Sequence, residues 1–194
     1  MYEPLYAYFE RSFNLSEDDK KVIQSVTAPK ILKKGEFLQR EGEVARLGAF
    51  VCRGFLRSYV IDNKGKEHVI QFAPENWWIA DKLGMSKDAL ATYFIDAIED
   101  SELLTMDLHG HITLLQKLTG YAESFQKGME KRTRAKDARI VHSLTSTAEE
   151  RYDDFLATYP TIAQRVPQHM LASYLGITPE TLSRIRKAKT KRRS

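Results

Sequence analysis

Along residues 1–26 the apolar positions recur at helical intervals, with Tyr2, Leu5, Phe9 and Phe13 on one stripe. A restart at Ser16 then turns Leu15, Val22, Ile23 and Val26 toward a core. Ser16 and Asp19 form a capping box in which Asp stands in for the usual Glu or Gln. From about Pro29 to Asp107 the pattern changes to short runs rich in Val, Ile, Phe and Tyr, broken by glycine-containing turns. Lys34-Gly35 and Glu41-Gly42 punctuate the first runs, and Asp62-Asn63-Lys64-Gly65 separates GFLRSYVI from KEHVIQF. Later strands are expected in ATYFIDAIE and SELLTMD. Short strands at regular spacing favour an antiparallel sandwich or jelly roll over a parallel sheet.

From about Leu108 the period is helical again, through Leu114, Leu115, Leu118, Ala122, Phe125 and Met129. No proline interrupts the chain from Glu75 through Tyr159, so one long helix is expected to run to about Leu144. Thr147 with Glu150 makes a second capping box and a new start. One helix cannot bury such a stripe against a β-roll along its whole length. A homodimer is therefore expected, with Leu118, Phe125 and Met129 at its interface.

The segment VPQHMLASYLGITPETLSRIRK meets the demands of a helix-turn-helix. Two short helices that cross steeply need a small contact residue, apolar residues that lock them and a permissive turn. Ala172 is the small residue, Gly176 takes the positive-φ position, and Leu171, Leu175, Ile177, Leu182 and Ile185 make the lock. Thr178 is a good N-cap and Pro179 suits the first helical position. On the second helix Glu180, Ser183 and Arg184 share a side at i, i+3 and i+4. Arg can bond guanine O6 and N7, and Glu can accept from a cytosine amino group. The expected DNA-binding residues are Gln168, Thr178, Glu180, Thr181, Ser183, Arg184, Arg186 and Lys187. An ordinary helical hairpin would satisfy each position separately, but the joint pattern followed by a basic run favours the helix-turn-helix.

Composition changes this picture little. The 194 residues are 42% hydrophobic and 29% charged, as in globular domains. The net charge of +4 is unevenly placed. From Arg184 onward the chain reads RIRKAKTKRRS, seven basic residues and no acid, which suits phosphate neutralisation. No apolar run approaches the ~18 residues of a membrane span and no leader is evident, so a cytoplasmic location without membrane attachment is expected. Cys52 is the only cysteine, which leaves no internal disulfide and reads as a small buried strand residue.

Candidate chemistry elsewhere is weaker. His109-Gly110-His111 resembles a metal-binding HxH pair, but no acid follows until Glu123, and helix-terminal histidines are the simpler reading. Trp77-Trp78 suits either a flat ligand or core packing. A G-x-S-x-G elbow, a P-loop and an H-E-x-x-H motif are all missing, so an enzyme is not expected.

Glu180-Thr181-Leu182-Ser183-Arg184 resembles the E-[ST]-x-[SG]-R core found in recognition helices of the Crp/Fnr family of transcription regulators. LKKGEFLQREGE (Leu32 to Glu43) and GFLRSYVIDNKGKEHVIQF (Gly54 to Phe72) are similar to that family's early strand-turn and hairpin signatures, so the resemblance covers nearly the whole chain. It implies an α+β protein with an N-terminal antiparallel β-roll of the jelly-roll, cyclic-nucleotide-binding type over residues 1–108. A long dimerisation helix over 109–145 and a C-terminal helix-turn-helix over 146–194 follow. Double-stranded DNA and a second copy of the chain are the implied partners, with RNA polymerase a further one.

NWWIADKLGMSKDALATYFIDA departs from the family's phosphate cassette, lacking its Gly-Glu pair and its Arg-Ser/Thr-Ala. No arginine occurs from Ser58 through Lys131, so cyclic AMP is not the expected effector. Lys82 or Lys87 as a substitute point charge is weaker than a solvated-loop reading. No cofactor is expected, and an unknown small-molecule effector stays open. The chain also stops soon after the recognition helix, where many members add a β-wing. The alternative from another class is a cupin-like metal-dependent enzyme with a basic tail.

Overall fold

The computed structural model describes residues 1–45, 48–81 and 90–193. Lys82 and Lys87 lie outside the described residues. The chain divides into two compact units, Met1–Val60 with Gln71–Glu130, and Ile61–Ile70 with Lys131–Ser194.

The first unit begins with α1 (Glu3–Glu10) and α2 (Glu17–Val26). The Ser16–Asp19 box is formed, the Ser16 Oγ accepting from the Asp19 amide at 3.1 Å and the Asp19 carboxylate from the Ser16 amide at 2.9 Å. Strands β1 (Ala28–Leu32), β2 (Phe37–Gln39), β3 (Gly48–Arg53), β4 (Leu56–Ile61), β5 (Glu67–Ala73), β6 (Trp78–Ile79), β7 (Phe94–Ala97) and β8 (Ser101–Met106) follow. Among the described residues they make two four-stranded sheets, ordered β1-β8-β3-β6 and β2-β7-β4-β5. β1 and β8 pair antiparallel from Ala28 opposite Thr105 to Leu32 opposite Ser101, and β4 and β7 from Leu56 opposite Ala97 to Tyr59 opposite Phe94.

Period-2 alternation sorts the side chains of β3 and β8 between two cores. Ala49, Val51 and Leu103 meet Leu56, Ala73, Ile95 and Ala97 between the sheets. Phe50, Cys52 and Leu104 point the other way, onto Leu5, Phe9, Ile23 and Leu114 of the covering helices. The tryptophans split likewise, Trp77 packing on the inter-sheet core and Trp78 on the helix-covered one. Cys52 is buried and unpaired, and loss of hydration pushes its thiol pKa up to about 11, so it stays protonated.

The expected single helix is two. α3 (Leu108–Lys117) ends at an extended Leu118, and α4 (Tyr121–Thr145) begins after Gly120. Gly120 has φ +94°, and a Cβ there would stand 2.8 Å from the Phe13 side chain. The break lets Leu118 and Tyr121 enter one core, each only 3% exposed. No proline marks it.

The second unit contains the rest of α4, then α5 (Ala148–Thr158), α6 (Ile162–Arg165), α7 (Gln168–Leu175) and α8 (Pro179–Arg193). Its core gathers Tyr152, Phe155, Ile162, Val166, Leu171, Ala172, Leu175 and Leu182. The Thr147–Glu150 capping box starts α5 as the sequence predicts. The tip of the β4–β5 hairpin clusters here too, which three consecutive segments did not anticipate. Ser173 Oγ accepts from the Val69 amide at 3.0 Å and donates to the Glu67 carbonyl at 2.8 Å. The Arg139 guanidinium donates to the Ile70, Val69 and Tyr174 carbonyls at 2.8, 2.9 and 2.7 Å and stacks on the Tyr174 ring.

Candidate nucleic-acid interface

α7, the turn at Gly176 and α8 form a helix-turn-helix. Gly176 adopts φ 68° and ψ 33°, the left-handed conformation that closes α7 and that a side chain disfavours. Ala172 is 0% exposed where the helices touch, and Leu182 is 0% exposed beneath α8. Thr178 caps α8, its Oγ1 accepting from the Thr181 amide at 3.2 Å. Arg151 ties the scaffold together, donating to the Leu175 carbonyl at the end of α7 and to the Ser146 carbonyl beyond α4.

An α-helix turns about 100° per residue. With Leu182 facing inward, Glu180, Arg184, Lys187 and Lys191 align as one exposed stripe on the outer side of α8. Ser183 lies on one flank of the stripe and Thr181 on the other. Arg184 Nη2 donates to Thr181 Oγ1 at 3.2 Å, which steadies the guanidinium at the start of the stripe. Bonding by the helix-start amide and by Thr178 holds the Glu180 carboxyl below its ordinary pKa, with the Arg184 charge adding to this. Gln168 is exposed at the start of α7. Arg186 is exposed but about 120° round α8 from Glu180, beside Ser183 rather than in the stripe.

The basic run is helix rather than tail, since α8 continues through Arg193. On its inner side Lys189 Nζ lies 2.6 Å from Asp153 Oδ2 and 3.3 Å from Glu149 Oε1, and Arg192 Nη1 lies 2.8 Å from Glu149 Oε1. Reading along the chain missed this pairing. The signal available was Glu149 and Asp153 at i, i+4 on α5 opposite an unbroken basic helix.

The dimer residues expected from the sequence separate. Leu118 is buried in the first unit's core, and Phe125 packs against that core and His111. Met129 is 42% exposed. Ile140 and Leu144, which the periodicity left out, are 60% and 80% exposed on the part of α4 in the second unit. Of the two histidines, His109 is exposed, whereas His111 is half-buried, its Nδ1 lying 2.9 Å from the Tyr121 hydroxyl, and burial lowers its pKa. Among the described residues no group of three or more His, Cys, Asp or Glu side chains is placed to hold a metal ion. Nor is any helix there long and apolar enough to cross a membrane.

No protein-family model matches the chain, and no curated protein matches it. Solved structures do. FixK2 from Bradyrhizobium japonicum is 19% identical over 86% of this chain and 86% of its own, with a TM-score of 0.74. The c-di-GMP responsive global regulator CLP of Xanthomonas campestris is 12% identical over 91% of this chain and 92% of its own, with a TM-score of 0.73. A protein assigned to the Crp/Fnr family of transcriptional regulators, from Eubacterium rectale, is 18% identical over 91% and 85%, with a TM-score of 0.67. The chain has the fold of Crp/Fnr-family regulators.

Proposed function

We propose that this protein is a cytoplasmic, sequence-specific transcription regulator that binds palindromic double-stranded DNA as a homodimer. The exposed stripe of Glu180, Arg184, Lys187 and Lys191 on a helix set by Thr178, Gly176 and Leu182 carries this reading. Arg184 reads a guanine, Glu180 and Ser183 contact neighbouring base edges, and Gln168, Thr178, Thr181, Arg186 and Lys187 serve the backbone around them. Two copies meet along α4, through Met129 in its first part and through Ile140 and Leu144 in its second, each exposed in the single chain. RNA polymerase is a further partner in this reading.

Cyclic AMP is not the effector in this reading. Burying a cyclic phosphate calls for a charge-assisted partner, and no arginine occurs from Ser58 through Lys131. Arg57, just before that span, is held by Asp96 through two bonds of 2.8 and 2.9 Å, with its guanidinium over the Tyr59 ring. The fold similarity to transcription regulators and the absence of recognisable catalytic motifs in the sequence favour this reading over a metal-dependent enzyme.

Selection of bound duplexes from a random pool tests the proposal. The expected result is a two-fold consensus whose half-sites lie ~34–36 Å apart. Arg184→Ala should cost about 1–3 kcal/mol per half-site and relax one base pair of that consensus. Equal losses on selected and scrambled DNA would make Arg184 a phosphate contact and overturn its assignment.

A further inference from the structure

We infer that the basic run of α8 is divided in function: Lys187 and Lys191 neutralise DNA phosphates, whereas Lys189 and Arg192 are positioning residues that brace the recognition helix on α5 through Glu149 and Asp153. The inference rests on the DNA-binding reading above.

The division follows from geometry. Lys187 and Lys191 share the outward stripe with Arg184 and make no ion pair among the described residues. Lys191 stands seven residues beyond Arg184, about 10 Å along the helix. That length approaches the ~12 Å width of the major groove, so with Arg184 on a base edge Lys191 reaches the phosphate row at the groove's lip. Lys189 and Arg192 point elsewhere. The Lys189 side chain is only 23% exposed between two carboxylates, and Arg192 shares Glu149 with it. A phosphate could engage Lys189 only by displacing a carboxylate already in place, whereas Arg192, 69% exposed with one guanidinium nitrogen on Glu149, is the lighter half of the brace.

The brace also answers a weakness in the helix. Beyond Ile185 the run RKAKTKRR offers no large apolar side chain to pack. Lys187 and Lys191 are like charges at i, i+4, which disfavours helix. Short helices without packing are marginal in water. Two carboxylates on a neighbouring capped helix supply the missing restraint, so that the phosphate-facing lysines are presented from a fixed backbone.

Fluorescence anisotropy with a selected duplex and a scrambled one, across a salt series, tests the division. Lys187→Ala and Lys191→Ala should each flatten the slope of log K against log salt by about 0.9 for every phosphate no longer neutralised, twice that for a dimer. Lys189→Ala and Arg192→Ala should leave the slope unchanged and weaken the selected duplex more than the scrambled one. The pair Glu149→Gln and Asp153→Asn, by releasing two cations, should steepen the slope on scrambled DNA. Amide hydrogen exchange over residues 186–192 should quicken in Lys189→Ala and in the acid-neutralised pair, but not in Lys187→Ala. Slopes flattened as much by Lys189→Ala and Arg192→Ala as by Lys191→Ala would overturn the inference, as would unchanged exchange in the acid-neutralised pair. Failure of the unaltered protein to bind any duplex is a separate result, which sinks the regulator reading, while the exchange arm still judges the brace.

Discussion

In the first unit Phe9, Phe50, Phe55, Leu56, Ile95 and Leu104 are each 2% exposed or less, and the sheets and helices close around them. The second unit buries Leu171, Ala172 and Leu182 as completely and adds directed polar ties that, unlike the Arg57–Asp96 pair within one sheet of the first unit, run between separate helices. Arg139 and Arg151 cap backbone carbonyls, Ser173 serves the hairpin, and Thr147 and Thr178 start helices. Apolar burial is non-directional and tolerates small shifts, whereas a hydrogen bond fails within a fraction of an ångström. The first unit is therefore built to keep its packing, and the second to keep the angles between its helices. On the function proposed above, only the second needs such angles, since side chains meant for base edges must be aimed.

Core truncation should give the largest effects and can break this contrast. Phe50→Ala should destabilise the first unit by about 3–5 kcal/mol, and Leu182→Ala the second by about 2–5 kcal/mol. Amide exchange resolved by residue would separate the two. A cost below about 1 kcal/mol for Leu182→Ala would mean that polar ties alone hold the second unit.

An intermediate effect should come from α4, whose residues divide between core and open face. Ile140→Asp should weaken dimerisation by more than about tenfold, because burying one such side chain contributes about 1.5–3 kcal/mol. Leu118→Ala should instead lower the melting temperature of the fold and leave the dimer constant nearly unchanged. Sedimentation equilibrium distinguishes them, and the reverse pattern would return Leu118 to the interface.

The smallest effect concerns the hairpin tip. The His68 bond, then the Lys66 and Lys64 amides, hold the Asp62 carboxyl at a pKa of about 2, against an ordinary 3.8. A carboxyl depressed on folding adds stability above its unfolded pKa and loses it as pH falls through the folded one. The gap between the unaltered protein and His68→Ala should thus shrink as pH drops from about 4 toward 2. A carboxyl titrating near 4 by NMR in the unaltered protein would show the tip to be unconstrained.

Legibility in the sequence followed the range of each interaction. The capping residues Ser16, Thr147 and Thr178 and the turn at Gly176 act within a few positions, and each was readable one residue at a time. The break at Gly120 was not, because what demands it is Phe13, more than a hundred residues earlier. Helical periodicity marked Leu118 and Phe125 as apolar-facing but could not say that α1 and β3, rather than a second chain, supply their cover. At the candidate site, Glu180 and Arg184 of the exposed stripe were visible in the E-T-L-S-R core. The ion pairs of Lys189 and Arg192 depend on a helix some forty residues away and were not.

The hydroxyl of Ser173 has a consequence for synthesis. Among the described residues β5 is an edge strand, and edge strands template unwanted pairing unless covered. Here the cover for the Val69 amide is made 104 residues later in the chain. At ~5–20 residues per second, that leaves the strand open on the ribosome for roughly 5–20 seconds. During that interval the emerging chain has Lys64, Lys66, Glu67 and His68 at the hairpin end as its own safeguard, charge and polarity standing guard until the last helices arrive.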